Sequence, residues 1–201
     1  MMRIVIAEDQ ALVRDALARL LSLEPDMEVV DQVADGKTLL EVVAQRQPEL
    51  CLIDIEMPIM NGLQAGSVLH RQYPDLLVVM LTTFGKPGYL QQALEAGARG
   101  FLLKDRPVAE LATQLRQIQA GKRIVDPELA VSALSEGSNP LSPREVEILQ
   151  AAADYGPIGM VARSVSLSPG TVRNYLSLII QKLGVSNRAQ AIAKARSMGW
   201  L

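Results

Sequence analysis

The first 121 residues alternate short apolar runs with amphipathic segments. The apolar runs are rich in Val, Ile and Leu without strict alternation, which is typical of parallel strands covered on both faces. They predict five strands, at Arg3–Ala7, Glu28–Val33, Leu50–Asp54, Leu77–Thr82 and Gly100–Leu103. We therefore predict an α/β fold with a doubly wound, five-stranded parallel sheet, because right-handed crossovers place helices on both of its faces.

The segments between these runs have helical periodicity. In the first of them one apolar stripe is predicted from the spacing of Val13, Ala16, Leu17, Leu20 and Leu21. The fifth is marked by Leu111, Leu115 and Ile118 and is expected to end near Gly121. In sheets of this kind the functional crevice lies at the carboxyl ends of the strands.

The pattern changes after residue 121. The segment SEGSNPLSP, residues 135–143, is rich in turn-forming residues and indicates a boundary. We predict a first domain of residues 1–121, a linker of residues 122–140 with one short helix at 127–134, and an all-α domain of residues 141–201. The predicted helices of the last domain are Pro143–Ala153, Ile158–Val165, Pro169–Leu183 and Arg188–Ser197.

Composition agrees with two folded domains in a reducing compartment. Hydrophobic residues make up 49% of the 201, and the single cysteine, Cys51, lies inside an apolar run. The amino terminus turns acidic after a few apolar residues, unlike a signal peptide. No uncharged apolar stretch approaches the ~20 residues of a membrane helix. We expect a cytoplasmic protein that does not associate with membranes.

Charge is distributed unevenly along the chain. Residues 1–121 carry a net charge of −5, whereas residues 142–201 carry +4. Such an asymmetry suggests that the second domain faces a polyanion.

Carboxylates are predicted to converge at the carboxyl end of the sheet. Glu8 and Asp9 follow the first strand, and Asp54 ends the third, which is its neighbour in a doubly wound sheet. Crowded carboxylates repel one another unless a cation lies among them, and their hard oxygen atoms suit Mg²⁺. A hydroxyl, on Thr82, and an ammonium group, on Lys104, end the next two strands. Together these groups form a site for a phosphoryl group, with Asp54 as its nucleophile.

These residues carry a family resemblance. Glu8-Asp9, Asp54 with Met57-Pro58 and Asn61-Gly62, Thr82 and Lys104 resemble the receiver domain of two-component response regulators. The resemblance implies that Asp54 is the phosphoacceptor and that Thr82 and Lys104 contact the phosphoryl group. It implies a metal site formed by Glu8, Asp9, Asp54 and the backbone carbonyl of Glu56. Thr82, in the loop TTFGKPG, and Phe101 would be the residues that rearrange on phosphorylation.

The carboxyl-terminal half contains a predicted helix-turn-helix. Its second helix, Pro169–Leu183, is preceded by Ser168 as N-cap and turns a polar face outward, formed by Arg173, Asn174, Ser177 and Gln181. Such a helix enters the major groove with its amino terminus first. Arg pairs with guanine and Asn with adenine, so Arg173 and Asn174 are the candidate base readers. Lys182 and Arg188 are candidates for phosphate contacts.

LSPREVEIL (residues 141–149) and LSPGTVRNYLSLIIQKLGVSNRAQAI (167–192) resemble the LuxR-type DNA-binding domain. Receiver and LuxR-type domain together resemble the NarL/FixJ regulators. Within these, TTFGKPGYLQQALEAGARGFLLKD and the ending MGWL are similar to regulators of fatty-acid desaturation genes. The resemblance implies a transcriptional regulator phosphorylated by a sensor histidine kinase, a homodimer on phosphorylation, and double-stranded promoter DNA as ligand.

One segment departs from the family. Where members often read SNKEIA, this chain has GPIGMVA at residues 156–162, so a Lys and a Glu are missing. Gly159 also weakens a helix by roughly 0.5–1 kcal/mol relative to Ala. We expect weaker DNA binding as a monomer and a greater dependence on dimerisation.

Two other functions fit parts of the pattern. Aspartate-dependent phosphatases also form an aspartyl phosphate at a strand end, but they usually carry a second aspartate two residues later, where this chain has Glu56. No separate cap domain for substrate selection is visible either, so we expect a regulator and not an enzyme. A receiver serving only as a phosphorylation-independent dimer module is the remaining alternative, and the intact acidic set argues against it.

Overall fold

The structure is a computed structural model that describes residues 1–83, 85–135 and 139–201, without the side chains of residues 87 and 135. Residue 84 of the TTFGKPG loop and residues 136–138 of the predicted boundary segment lie outside the described residues. The chain divides into two compact units, Met1–Gly85 with Tyr89–Ala133, and Lys86–Gly88 with Leu134–Leu201. The boundaries predicted at residues 121 and 141 stay a prediction.

The first unit is built on a parallel sheet of six strands in the order β2-β1-β3-β4-β5-β6. The strands are β1 (Met2–Ala7), β2 (Met27–Val33), β3 (Leu50–Asp54), β4 (Leu77–Thr82), β5 (Gly100–Leu103) and β6 (Ile124–Val125). The five predicted strands are confirmed within one residue. The prediction of only five strands was wrong. The strand β6 is two residues long, which is too short to form a recognisable apolar run. It pairs with β5 through Gly100 and Phe101.

The helices of this part of the chain are α1 (Ala11–Leu21), α2 (Gly36–Arg46), α3 (Gly62–Gln72), α4 (Pro87–Glu95), α5 (Val108–Gln119) and α6 (Pro127–Ser135). The sheet is covered on both faces, since two separate apolar clusters share each central strand. On β3, Cys51 and Ile53 belong to one cluster and Leu50 and Leu52 to the other. Burial on both sides explains why this strand is apolar at every position before Asp54.

The stripe predicted for α1 is only partly correct. Leu21 is buried and Leu17 is half-buried, but Ala16 is exposed and Leu20 is 41% exposed. Ala18, which the prediction left out, is buried in their place. The stripe predicted for α5 is confirmed, because Leu111, Leu115 and Ile118 are all buried.

The second unit is helical, with α7 (Pro143–Tyr155), α8 (Ile158–Ser164), α9 (Pro169–Leu183) and α10 (Arg188–Ser197). These bounds confirm the prediction within two residues. The four helices share one apolar core, which includes Ile148, Val161, Val172, Ile179 and Trp200. The helix α7 begins with a capping box, in which Ser142 and Glu145 satisfy each other's backbone N–H groups.

Candidate functional site

The order of the strands brings the predicted acidic residues together. Ala7 at the end of β1 pairs with Ile53 in β3, so Glu8 and Asp54 are the next residues on neighbouring strands. On the other side of β3, Asp54 pairs with Leu81, and in the next pair of strands Thr82 pairs with Leu103. Four strand ends therefore present Glu8, Asp54, Thr82 and Lys104 at one edge of the sheet.

Three carboxylates form a cluster at this edge. One oxygen each from Glu8, Asp9 and Asp54 lies within 4.8 Å of the others. Glu8 is 1% and Asp54 5% exposed, whereas Asp9 is open to solvent. Carboxylate oxygens at this spacing fit the chemistry of Mg²⁺, which is bound through few carboxylates and keeps several waters.

Lys104 is the cation that the described residues place in this cluster. Its Nζ lies 2.6 Å from Oε2 of Glu8 and 2.9 Å from Oδ1 of Asp54. Burial raises the pKa of both carboxyl groups above the ordinary value, although hydrogen bonds from Lys104 act in the opposite direction. Burial also acts to lower the pKa of Lys104, but its bonds to Asp54 and Glu8 outweigh this effect and leave that pKa raised. The buried carboxylates thus remain costly to ionise and favour a further cation.

Thr82 and Phe101 are both buried, with 3% and 1% exposure. The backbone N–H of Lys104 donates to the carbonyl of Thr82 at 2.9 Å, so the ends of β4 and β5 are joined directly. The side chain of Phe101 lies in one of the two apolar clusters. Its role as the residue that rearranges stays a prediction.

The side chain of Glu56 is exposed and accepts a hydrogen bond. The sequence predicted that only the backbone carbonyl of this residue would contact a metal ion. The hydroxyl of Tyr89 donates to Oε1 of Glu56 at 2.7 Å. Tyr89 is 7% exposed and belongs to α4, so this bond joins α4 to the β3–α3 loop.

Arg14 is a residue of the site that the sequence did not reveal. Its Nη1 donates to the backbone carbonyl of Glu8 at 2.6 Å and to that of Asp9 at 3.4 Å. Both bonds fix the backbone that carries the acidic pair. Because the acceptors are main-chain atoms, no side-chain pattern in the sequence could have indicated them.

Gly62 brings the start of α3 close to the backbone of Asp54. A Cβ atom at this position would lie 2.0 Å from the carbonyl oxygen of Asp54. Gly62 is the first residue of α3, whose N-cap Asn61 forms a capping box with Gln64, and its N–H donates to the carbonyl of Ile55 at 2.9 Å. The helix α3 therefore starts directly against the backbone of the predicted phosphoacceptor.

The helices α8 and α9 form the predicted helix-turn-helix. The hydroxyl of Ser168 accepts from the N–H of Thr171 at 3.1 Å and caps α9. Val172, Leu176, Ile179 and Leu183 are buried, while Arg173, Asn174, Ser177 and Gln181 are exposed. The polar outward face predicted for α9 is confirmed.

Two basic residues predicted for phosphate contacts are already bonded within this unit. Lys182 Nζ lies 2.8 Å from Oε2 of the buried Glu145, and Arg188 donates to the carbonyl of Gly156. Burial acts to raise the pKa of Glu145, but the bond from Lys182 and those at Ser142 outweigh it and lower that pKa. Two further basic residues bond backbone carbonyls, Arg144 that of Val165 and Lys194 that of Leu183.

Comparison with protein-family models matches both units. The model described as the response regulator receiver domain matches residues 4–116, more than half of the chain. The model described as bacterial regulatory proteins of the luxR family matches residues 139–195. The chain is a two-component response regulator with a LuxR-type DNA-binding domain. This family consists of transcriptional regulators and not enzymes, and its receiver domains bind Mg²⁺ at the acidic pocket.

Relatives match the regulator over its whole length. It is 46% identical to the transcriptional regulatory protein DesR of Bacillus subtilis over 200 residues, covering 100% of this chain and 99% of that one. It is 32% identical to the transcriptional regulatory protein UhpA of Escherichia coli, with 100% of both chains covered. The expected similarity to regulators of fatty-acid desaturation genes is confirmed by the DesR match.

Solved structures agree on the fold. The response regulator ChrA of a heme-sensing two-component system matches with a TM-score of 0.59 at 31% identity, covering 100% of this chain and 98% of that one. The RcsB–DNA complex matches with a TM-score of 0.66 at 23% identity, covering 98% of both chains. In the part of the regulator that the structure describes, the helices are too short or too polar to cross a membrane.

Proposed function

We propose that a sensor histidine kinase transfers a phosphoryl group to Asp54 with Mg²⁺ bound beside it. Glu8, Asp9 and Asp54, with the backbone carbonyl of Glu56, would hold the metal ion. The carboxylate oxygen of Asp54 attacks the phosphorus atom of the phosphohistidine, and the bond from phosphorus to the imidazole nitrogen breaks. A bound metal ion would supply positive charge for the phosphoryl oxygens. Lys104 would contribute an ammonium group and Thr82 a hydroxyl.

The observation that carries this proposal is the position of Lys104. Its Nζ contacts both Asp54 and Glu8, so it already lies where a phosphoryl group on Asp54 would place its negative oxygens. Asp54 is nearly buried, but Asp9 beside it is open to solvent and leaves one side of the cluster accessible.

Phosphorylation would then cause the loop after Thr82 and the side chain of Phe101 to rearrange. This rearrangement would favour a homodimer of the regulator. The dimer presents two copies of α9 to promoter DNA with two-fold related half-sites. A solved structure contains two RcsB dimers bound to two parallel DNAs, but at 24% identity to this chain its likeness supports the fold alone.

The first test is the intact mass of the full chain after incubation with acetyl phosphate and Mg²⁺. We expect one phosphate-sized gain in the wild type and none in Asp54→Asn, because the amide is not a nucleophile for this transfer. Sedimentation of the same samples should show dimers only where the mass has increased.

Asp15→Asn is the matched control, since Asp15 is an exposed carboxylate on α1 outside the cluster. This variant should gain phosphate as the wild type does. A wild type that takes up no phosphate but still dimerises would contradict the proposal and favour the phosphorylation-independent dimer module. Steady hydrolysis of phosphomonoesters would instead favour the phosphatase alternative.

For DNA, we propose that Arg173 and Asn174 read base edges and that Ser177 and Gln181 add contacts along the same face. All four are exposed on the outward face of α9. Lys182 and Arg188 would contact phosphates through those of their N–H groups that do not take part in the bonds to Glu145 and Gly156. Phosphate contacts of this kind set the position of the domain on DNA but not its sequence preference.

A selection from random-sequence double-stranded DNA with phosphorylated protein tests this division. Asn174→Ala should lose base preference at one position in each half-site, at a cost of about 1–3 kcal/mol for the preferred sequence. Arg163→Ala, which removes an exposed charge from α8, should weaken binding to all sequences about equally. Unchanged base preference in Asn174→Ala would exclude Asn174 as a base reader.

A further inference from the structure

The strand β6 and the helix α6 come after the five predicted strand–helix repeats. They nevertheless contact two loops of the phosphoryl site, the β5–α5 loop and the β4–α4 loop. The N–H of Asp126 donates to the carbonyl of Phe101 at 2.9 Å, which continues the pairing of β6 with β5. Asp126 then caps α6, since its Oδ1 accepts from the N–H of Glu128 at 3.0 Å. The start of α6 is thereby fixed to the strand that leads to Lys104.

Arg106 joins α6 to the β5–α5 loop. Its Nε lies 3.0 Å from Oδ2 of Asp126, and its Nη2 lies 3.2 Å from Oδ1 of the same carboxylate and 2.8 Å from Oε1 of Glu128. Asp126 is 2% exposed, so this bidentate pair is largely shielded from water. Arg106 stands two residues after Lys104, and this bond therefore restrains the loop that carries the lysine.

The other side of α6 contacts the β4–α4 loop. The hydroxyl of Ser132 donates to the carbonyl of Gly85 at 3.0 Å. Leu129 is 3% exposed and lies so close that a Cβ on Gly85 would come within 2.3 Å of its Cδ2. Gly85 stands three residues after Thr82, so α6 also restrains the loop that follows this threonine.

We propose that Arg106 and Asp126 are positioning residues for phosphoryl transfer. By fixing the β5–α5 loop to α6 they hold Lys104 at the place where it meets the phosphoryl oxygens. The segment 124–132 is then a working part of the phosphoryl site and not a passive connection to the DNA-binding domain. This inference rests on the proposed phosphorylation of Asp54.

The proposed metal ligands and Lys104 lie on different segments of the chain. A positioning role of Arg106 can therefore be distinguished from a general effect on the stability of the fold. Glu8, Asp9 and Asp54 follow β1 and end β3, on which Arg106 has no bond among the described contacts. Loss of the Arg106 bonds should therefore slow phosphoryl transfer without lowering the affinity for Mg²⁺. A general loosening of the fold would lower both.

The experiment compares full-chain Arg106→Gln and Arg106→Lys with wild type. It measures the rate of phosphate uptake at saturating acetyl phosphate by intact mass, and Mg²⁺ affinity by calorimetry. Arg106→Gln should react about tenfold more slowly, because an Å-scale misplacement of a reacting group has effects of at least this size. Arg106→Lys, which keeps one charged bond to Asp126, should recover part of the rate. The Mg²⁺ affinity of both should not fall below that of wild type, since the metal ligands are untouched and a displaced Lys104 competes less with the metal ion.

Arg116→Gln is the matched control. Arg116 forms the same type of bidentate pair with Asp26 and a third bond to Glu24, on α5 away from the site. Its replacement should leave the rate unchanged. If wild type and Arg106→Gln react equally fast, or if Mg²⁺ affinity falls as much as the rate, the positioning role is refuted. A wild type that takes up no phosphate would instead overturn the proposed function and this inference with it.

Discussion

Gly62→Ala is expected to destabilise the region around Asp54 and to slow its phosphorylation. The added Cβ would meet the Asp54 carbonyl oxygen at 2.0 Å, and that atom belongs to the backbone of a buried strand. Alanine gains about 0.8–1.0 kcal/mol of helix propensity over glycine. Forcing a methyl group into a packed site costs typically 1–3 kcal/mol, and here the neighbour is rigid, so we expect a net loss of about 2 kcal/mol. Amide hydrogen exchange of β3 and α3 measures this loss locally.

Gly159→Ala is the matched control for Gly62→Ala. Gly159 lies inside α8, and a Cβ there has no described heavy atom within 4 Å. The same substitution should therefore stabilise α8 by about 0.5–1 kcal/mol, through helix propensity alone. If Gly62→Ala keeps wild-type protection and takes up phosphate normally, the close contact between α3 and Asp54 does not exist in solution.

Lys104→Met is expected to have the second large effect. Methionine fills a similar volume, but Glu8 and Asp54 lose the cation that both contact. Removing one partner from a buried ion pair costs about 3–5 kcal/mol, because the remaining charge has no compensation. The partial opening of the cluster at Asp9 should place the loss at the lower end of this range.

Mg²⁺ should rescue much of this loss. In the wild type, Mg²⁺ at ten times its Kd adds about 1.4 kcal/mol to the free energy of unfolding. The variant has one positive charge fewer beside the same carboxylates, so it should bind Mg²⁺ more tightly and gain more at equal Mg²⁺ concentration. Denaturation with and without Mg²⁺ measures both effects. Lys122→Met, at an exposed lysine, is the control and should behave as wild type. A Lys104→Met variant as stable as wild type without Mg²⁺ would show that the ion pair contributes nothing.

The sequence predicted the sheet well because each central strand is buried on both faces. An unbroken apolar run such as Leu50 to Ile53 has few alternatives in a parallel α/β fold. The strand β6 was missed, because its two residues are held by pairing with β5 and not by their own hydrophobicity. Leu20 was wrongly assigned to the core. Helical periodicity shows which face of a helix is apolar, but it does not show how much of that face the neighbouring sheet covers.

The candidate site was predictable where side chains carry the chemistry. Glu8, Asp54 and Lys104 stand at the ends of strands, so strand order alone brings them together. Arg14 was not predictable, because it bonds backbone carbonyls that every residue possesses. The contacts of Arg106 with Asp126 were equally hidden, since they depend on a short strand and on a helix that the sequence assigned to a linker.

The number of phosphate contacts proposed for the DNA-binding unit determines how much of its affinity can come from counterion release. Of the seven Lys and Arg residues between 142 and 201, Arg144, Lys182, Arg188 and Lys194 already bond groups of their own domain. Lys182 and Arg188 are nevertheless proposed to contact phosphates, and the exposed Arg163 is a third such residue. Each neutralised phosphate contributes about −0.9 to the slope of log K against log salt concentration. With about three such contacts per domain and six per dimer, the slope for operator binding should be about −5, so the affinity should fall by about 10³ between roughly 50 and 200 mM salt. Base contacts should supply the affinity that remains at high salt.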